Sequence, residues 1–180
     1  MQYELSLPSP WVLRFAPLIE PGARVLDVAC GAGRHARLFA SRGCEVEAVD
    51  RDSAALATLE GVPAIRTRLA DLENAAWPYA AGEFDLVVVT NYLHRALFAT
   101  LIRSLNVCGV LIYETFMVGN EQFGKPSNPD FLLRPGELLE LTGTALEVVA
   151  FEQGYTEQPK PAMMQRVAAV NPGFRRLRAI

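Results

Sequence analysis

The chain has little of what several protein classes require. Cysteine occurs only as Cys30, Cys44 and Cys108. The number is odd and the spacing wide, with no C-x-x-C and no neighbouring histidine pair, so neither a disulfide framework nor zinc is indicated. The three thiols read as small buried hydrophobes. No uninterrupted apolar run reaches the roughly 18 residues of a membrane span, and no cationic segment precedes a long apolar core at the N-terminus. The expectation is a cytoplasmic protein with no membrane partner. Positive charge is not in excess either: a net charge of −3 offers no field for a nucleic-acid backbone. Repeats and low-complexity tracts are missing. What remains is a chain of single-domain length, 51% apolar, enough for a sizeable core.

The stretch that organises it is Val25-Leu-Asp-Val-Ala-Cys-Gly-Ala-Gly-Arg34, followed by Val46-Glu-Ala-Val-Asp50. An apolar run of strand length breaks at Gly31 and Gly33, then Ala36, Phe39 and Ala40 recur at helical spacing until Gly43. A glycine turn at a helix N-terminus lets backbone N–H groups approach a ligand closely. The acid at the end of the second run, Asp50, lies beside the same crevice and suits ribose hydroxyls. A nucleoside-containing cofactor follows. Gly31-Ala-Gly-Arg-His-Ala36 matches the dinucleotide fingerprint with Asp50 about 20 residues on, so a nicotinamide-dependent oxidoreductase is one reading. Asp27 favours another. A carboxylate inside the strand before the glycines attracts a cation and repels a pyrophosphate; S-adenosyl-L-methionine carries an ammonium and a sulfonium and no phosphate.

The string resembles the first motif of class I S-adenosylmethionine-dependent methyltransferases, with Ala29 where many members carry another glycine. The resemblance implies that Asp27 and the Cys30–Gly33 backbone hold the methionine part, with Ala29, Cys30, Gly31 and Gly33 at the loop. Asp50, with Arg51 beside it, would hold the ribose. Asp71 and Leu72 stand where members often hold adenine, the acid accepting from the exocyclic amine. Asp71 also reads as a turn cap.

Along the chain, Ser9-Pro10 opens a short leading helix with Trp11, Phe15, Leu18 and Ile19 on one face; Trp11 and Phe15 are core anchors or part of a lid. Asp52-Ser53 caps a helix bearing Leu56 and Leu59, and Ala64–Thr67 is a weak strand. Phe84–Thr90 is a buried parallel strand next to the first. Residues after its carboxyl end face the ligand crevice, which makes Asn91, Tyr92, His94 and Arg95 the candidate catalytic and acceptor-side group, Asn91 also counted with the cofactor. His94 offers a proton acceptor and Arg95 a fixed positive fork. Gly109–Thr115 is a further strand, and residues 116–133 form a long connection of the kind that makes lids or binding loops, with Lys125 and Arg134 as possible charges for an anionic substrate. Pro135 opens a helix that ends at Gly143. Leu146–Phe151 and Arg166–Val170 are the last strands, and Phe174–Arg178 is a short basic tail.

The domain expectation is one methyltransferase domain over 1–180, with a leading helix in 1–22, a core over 23–170 and a tail over 171–180. The expected fold is α/β: a Rossmann-like, seven-stranded, mostly parallel sheet with helices on both faces and the last strand antiparallel. Tyr92-Leu-His-Arg95, Tyr113-Glu-Thr-Phe116 and Leu132-Leu-Arg-Pro-Gly-Glu-Leu138 resemble small bacterial methyltransferases of the tellurite-resistance and thiopurine-type group, whose members act on small molecules or metalloid oxyanions. The implied partner is a small-molecule acceptor: a thiol, a metalloid oxyanion, or a small hydroxyl or amine. The Asn/Asp-Pro-Pro-Tyr signature of amino-methylating nucleic-acid enzymes is missing. A non-catalytic cofactor-binding module stays open as an alternative.

Overall fold

A computed structural model describes residues 7–174 of the protein; the basic run Arg175–Arg178 lies outside the described residues. Helix α1 (Pro10–Phe15) starts where Ser9 Oγ accepts a hydrogen bond from Trp11 N at 3.1 Å, with proline at a first-turn position that needs no N–H. Strand β1 (Arg24–Val28) leads through the glycine turn into α2 (Arg34–Ser41), then β2 (Glu45–Asp50), α3 (Ser53–Ala57), β3 (Ile65–Leu69), β4 (Phe84–Thr90), α4 (Phe98–Ser104), β5 (Leu105–Phe116), α5 (Glu137–Thr142), β6 (Glu147–Thr156) and β7 (Ala162–Val170). Asp52 caps α3 by accepting from Ala54 N and Ala55 N, the role expected of it.

The sheet runs in the order β3-β2-β1-β4-β5-β7-β6. β7 is antiparallel to both β5 and β6, and the other pairs are parallel. Alternate side chains of each strand face opposite layers. Val25, Leu86, Val88, Val110 and Ile112 pack with Trp11, Phe15, Ala36 and Phe39 of α1 and α2. Leu26, Val28, Val87, Val89 and Leu111 pack with Leu101 of α4 and Leu138 of α5 on the other face. Strand order reverses between β1 and β4, and parallel α/β sheets bind ligands there, outside the carboxyl ends.

Several boundaries move. The fifth strand reaches back to Leu105, because Leu105 pairs with Phe84 across a register shift, and the last two strands form a long hairpin that ends in Thr156↔Ala162. Pro135 does not open α5. Gly136, at φ +74°, takes the left-handed cap position, and the helix begins at Glu137. Residues 70–83 form no helix between β3 and β4. Trp77 covers that gap by donating from Nε1 to Ser104 Oγ at 3.0 Å, and Tyr79 meets Phe84 edge-on at 5.3 Å. Trp11 and Phe15 are core anchors: both are buried, and Trp11 Nε1 donates to the Val167 carbonyl at 3.3 Å.

Candidate functional site

The glycine turn is shaped by its backbone. Gly31 has φ +54° and open space where a Cβ would stand, whereas Gly33 has φ +73° and a Cβ would come within 2.5 Å of Leu59 Cδ1. One glycine keeps the ligand side clear, and the other lets α2 close onto the segment after α3. Asp50 joins this turn to β2. Its Oδ2 accepts from Gly31 N at 2.7 Å and its Oδ1 from Asp52 N at 2.9 Å. Each carboxylate oxygen has a second lone pair for a further donor such as a hydroxyl.

A cleft of about 400 Å³ lies across the carboxyl ends of the parallel strands, lined by Asp71 and Leu72 after β3, Asp50 and Arg51 at the end of β2, Ala29 after β1 and Asn91 after β4. Its far wall comes from the 116–133 connection, through Phe116, Pro126 and Phe131. That connection is tied down at its base. Leu133 N donates to the Phe116 carbonyl and Val118 N to the Leu133 carbonyl, both at 3.0 Å. Buried Asn120 donates to the Pro126 carbonyl and accepts from Met163 N. A smaller recess of about 270 Å³ continues along Cys30, Gly31, Ala32, Arg34 and Thr90, and it shares Ala29 and Asn91 with the cleft.

At the far end Asp71 caps a turn. Oδ1 accepts from Glu73 N and Asn74 N, and Oδ2 accepts from Asn74 Nδ2 at 2.8 Å. These bonds, the Asn74 amide first, hold its carboxyl below the usual range. Leu72 is buried beneath it. At the other end Asn91 adopts φ +56°, a conformation asparagine tolerates better than most residues, and its N–H donates to the Glu114 carbonyl at 3.0 Å. Tyr92 lines the cleft; its carbonyl accepts from Tyr113 Oη at 2.7 Å.

Two expected acceptor-side groups stand elsewhere. Arg95 is engaged on every nitrogen. Nε and Nη2 bind both oxygens of Glu137, at 2.6 and 3.0 Å, while Nη1 and Nη2 reach the carbonyls of Asp130 and Leu132. It clamps the end of the long connection to α5. His94 precedes a 3₁₀ turn, its carbonyl accepting from Leu97 N, and neither it nor Arg95 lines the cleft. Arg134, offered for an anionic substrate, pairs with Glu140 at 3.0 Å.

Asp27 lies under the loop rather than on the cleft wall. Only 1% exposed, it accepts from Ala36 N at 2.9 Å and so ties β1 to the first turn of α2. Burial pushes its carboxyl up to about 7, with Asp50 adding and the Ala36 N–H and Arg34 opposing. The Cys30 thiol is pushed up as well, by burial and then by Asp27 and Asp50, which leaves it neutral and a poor nucleophile.

Two residues inside the glycine motif gain roles that periodicity does not announce. His35 is buried, and its Nε2 accepts from Ser9 N at 3.1 Å. The ring is therefore neutral with its proton on Nδ1, 3.5 Å from Thr90 Oγ1. Burial pushes it down to about 3. Arg34 extends from the helix start over the recess, donating at 3.4 Å to Thr90 Oγ1 and to the Leu7 carbonyl.

These features fit S-adenosylmethionine. The open space at Gly31 leaves room for a ligand, and Asp50 and Asp71 stand at separate points of the cleft.

Residues 25–109 match the family model described as a methyltransferase domain. No curated protein matches the chain. Among solved structures, TehB from Haemophilus influenzae superposes with a TM-score of 0.75 at 21% identity, covering 91% of this chain and 62% of that one. The chain thus spans less than two thirds of that relative's length. An S-adenosylmethionine-dependent methyltransferase from Mesorhizobium loti matches at TM-score 0.71 and 19% identity, over 93% of this chain and all of that one. Geranyl diphosphate C-methyltransferase from Streptomyces coelicolor A3(2), solved with geranyl diphosphate and S-adenosyl-L-homocysteine, matches at TM-score 0.66 and 16% identity, over 89% and 79%.

Proposed function

We propose that the chain, whose residues 25–109 match a methyltransferase domain and whose fold is that of TehB, is an S-adenosylmethionine-dependent methyltransferase that transfers a methyl group to a small organic or metalloid acceptor. The observation that carries this reading is the meeting of two spaces at Asn91: the long cleft with Asp50 and Asp71 on its wall, and a second cavity beyond the glycine turn. One suits a nucleoside ligand, and the other leaves room for a second reactant. A module that only retained the cofactor would need no such second space. The Streptomyces coelicolor relative, solved in complex with both geranyl diphosphate and S-adenosyl-L-homocysteine, is consistent with this.

In this reading Asp50 accepts from the ribose hydroxyls while its own bonds to Gly31 N and Asp52 N hold it in place. Asp71, oriented by Asn74, receives the adenine amine, with Leu72 against the ring. The glycine turn and Arg34 border the methionine end. When bound, the cofactor supplies a methyl carbon on a cationic sulfur, so that the acceptor's lone pair forms the new bond while the carbon–sulfur pair returns to sulfur. The residues align the reactants and exclude water; a dedicated base is not required of an acceptor that is already ionised. The neutral His35 ring holds Ser9 and faces Thr90, which keeps α1 against the turn.

Calorimetric titration of the full chain with S-adenosylmethionine, S-adenosylhomocysteine and NADH tests the reading, repeated on Asp50→Ala. Saturable binding of the two adenosyl ligands is expected, weakened about tenfold or more by the substitution, since hydrogen bonds to a charged group contribute about 1.5–3 kcal/mol. Binding of NADH alone would overturn it.

A further inference from the structure

The second cavity has a volume of about 470 Å³ and lies between the start of α1, the end of β5 and the turn that joins β6 to β7. It borders Asn91, which also lines the cleft, and Arg34, which also lines the glycine-turn recess. A molecule in it therefore abuts the Asn91 side of the cofactor space. Most of its wall is carbon: Pro10, Leu13, Phe116, Pro159, Ala162 and Met164. Its charges divide into two kinds. Glu114 pairs with Arg166 at 3.2 Å, Arg166 stands 3.7 Å from Glu152, and Glu152 pairs with Arg14 at 2.9 Å. Glu114 and Arg166 on the wall thus belong to a chain of two acids and two bases, completed by Glu152 and Arg14 outside it, in which the charges cancel. Arg34 and Lys160, also on the wall, form no contact ion pair among the described residues; Arg34 acts on the buried Asp27 only through space, and its hydrogen bonds are long at 3.4 Å, which leaves donor capacity for an anion.

We propose that this cavity is the methyl-acceptor site, and that it takes an organic molecule with an apolar body and one anionic group such as a carboxylate. The inference rests on the methyl-transfer reading above. An inorganic oxyanion is disfavoured, because it would give up its hydration against a carbon wall that offers nothing in return. The volume is that of a site for a drug-sized molecule. The anion is held by Arg34 and Lys160, the body packs against Leu13, Phe116, Ala162 and Met164, and the Asn91 end receives the methyl.

The full chain, saturated with S-adenosylhomocysteine to fill the cofactor cleft, is titrated with 8-anilinonaphthalene-1-sulfonate, an aromatic sulfonate that is fluorescent in apolar surroundings. One saturable site is expected. Ala162→Phe, which fills the floor, should weaken it tenfold or more; Lys160→Glu, an exposed change that leaves the core intact, should weaken it about fivefold, the scale of reversing one surface charge. Sodium tellurite should not displace the probe. Calorimetry with S-adenosylhomocysteine on each variant reports folding, and failure of that ligand to bind the unaltered protein would sink the cofactor reading separately, while the probe titration still reads the cavity. The acceptor proposal is overturned if both variants bind the probe as the parent does, if tellurite displaces it, or if the signal disappears in Phe123→Ser, which removes the exposed Phe123–Tyr155 ring pair as the competing surface.

Discussion

Replacing Asp27 by asparagine is expected to change how stability depends on pH. The carboxyl is 1% exposed and receives one hydrogen bond, from Ala36 N, too little to repay the burial that lifts it from an ordinary 3.8 to about 7. The folded state then binds this proton more tightly than the unfolded chain. Between the two values the native protein holds more protons than the unfolded one, so stability falls as pH rises through that window. At 1.36 kcal/mol per pH unit, the interval is worth about 4 kcal/mol, with no discount for solvent at a site this buried. The parent should therefore lose about 4 kcal/mol relative to Asp27→Asn between pH 4 and pH 8, and the variant should be the more stable protein at the alkaline end. Urea unfolding followed by circular dichroism at half-unit pH steps measures this, and taking the difference between the two proteins cancels the other carboxylates. A difference that stays flat would show that Asp27 titrates normally and that the burial argument is wrong. A group that lowers stability at neutral pH beside a glycine turn is where functional sites place perturbed carboxyls.

Glu137→Gln should destabilise by about 2 kcal/mol: the buried carboxylate loses its bidentate pairing with Arg95 and weakens its bond to Arg134 N, though the partial exposure of Arg95 softens the loss. Because Arg95 holds the Glu137 carboxyl below its usual range, the parent keeps this contribution above the ordinary carboxylate value and loses it as pH falls through the lowered one, a slope that thermal melts of the variant should lack. The two glycines of the turn should separate binding from packing. Gly31→Ala meets open space and costs about 1–2 kcal/mol for its left-handed backbone, yet it should weaken S-adenosylhomocysteine binding in calorimetry. Gly33→Ala carries the same backbone cost and also drives its Cβ into Leu59, adding about 1–3 kcal/mol of overpacking; equal unfolding midpoints for the two variants would contradict this.

Much of the fold is legible in the order of residues because it depends on short-range pattern. The apolar run Phe84–Val89 demands burial on both faces wherever it sits, and the strand, glycine turn and helix around Gly31 follow from φ requirements and helical spacing. Seven strands, their mainly parallel pairing and the antiparallel β7 are consequences of such local signals joined by crossover rules. So is the nomination of Asp50, whose bonds to Gly31 N and Asp52 N lie within the motif itself.

Tertiary structure decided what pairs with what. The side chain of Arg95 reads as a free positive fork until Glu137, 42 residues away, takes it up. No periodicity encodes that choice, because ion pairing depends on which elements the sheet brings together. Pro135 carries a helix-start signal that is overruled by the left-handed Gly136. The second cavity is assembled from the start of α1, Arg34, the end of β5 and the β6–β7 turn, segments that share no sequence signal and meet only because β7 inserts between β5 and β6. The chain by itself determined most of its elements and nominated the crevice beside the glycine turn, since both rest on backbone conformation and short-range pattern; which groups line that crevice and which stay available for an acceptor was decided by packing, which put Asp27 under the loop and left available only what distant partners had not satisfied.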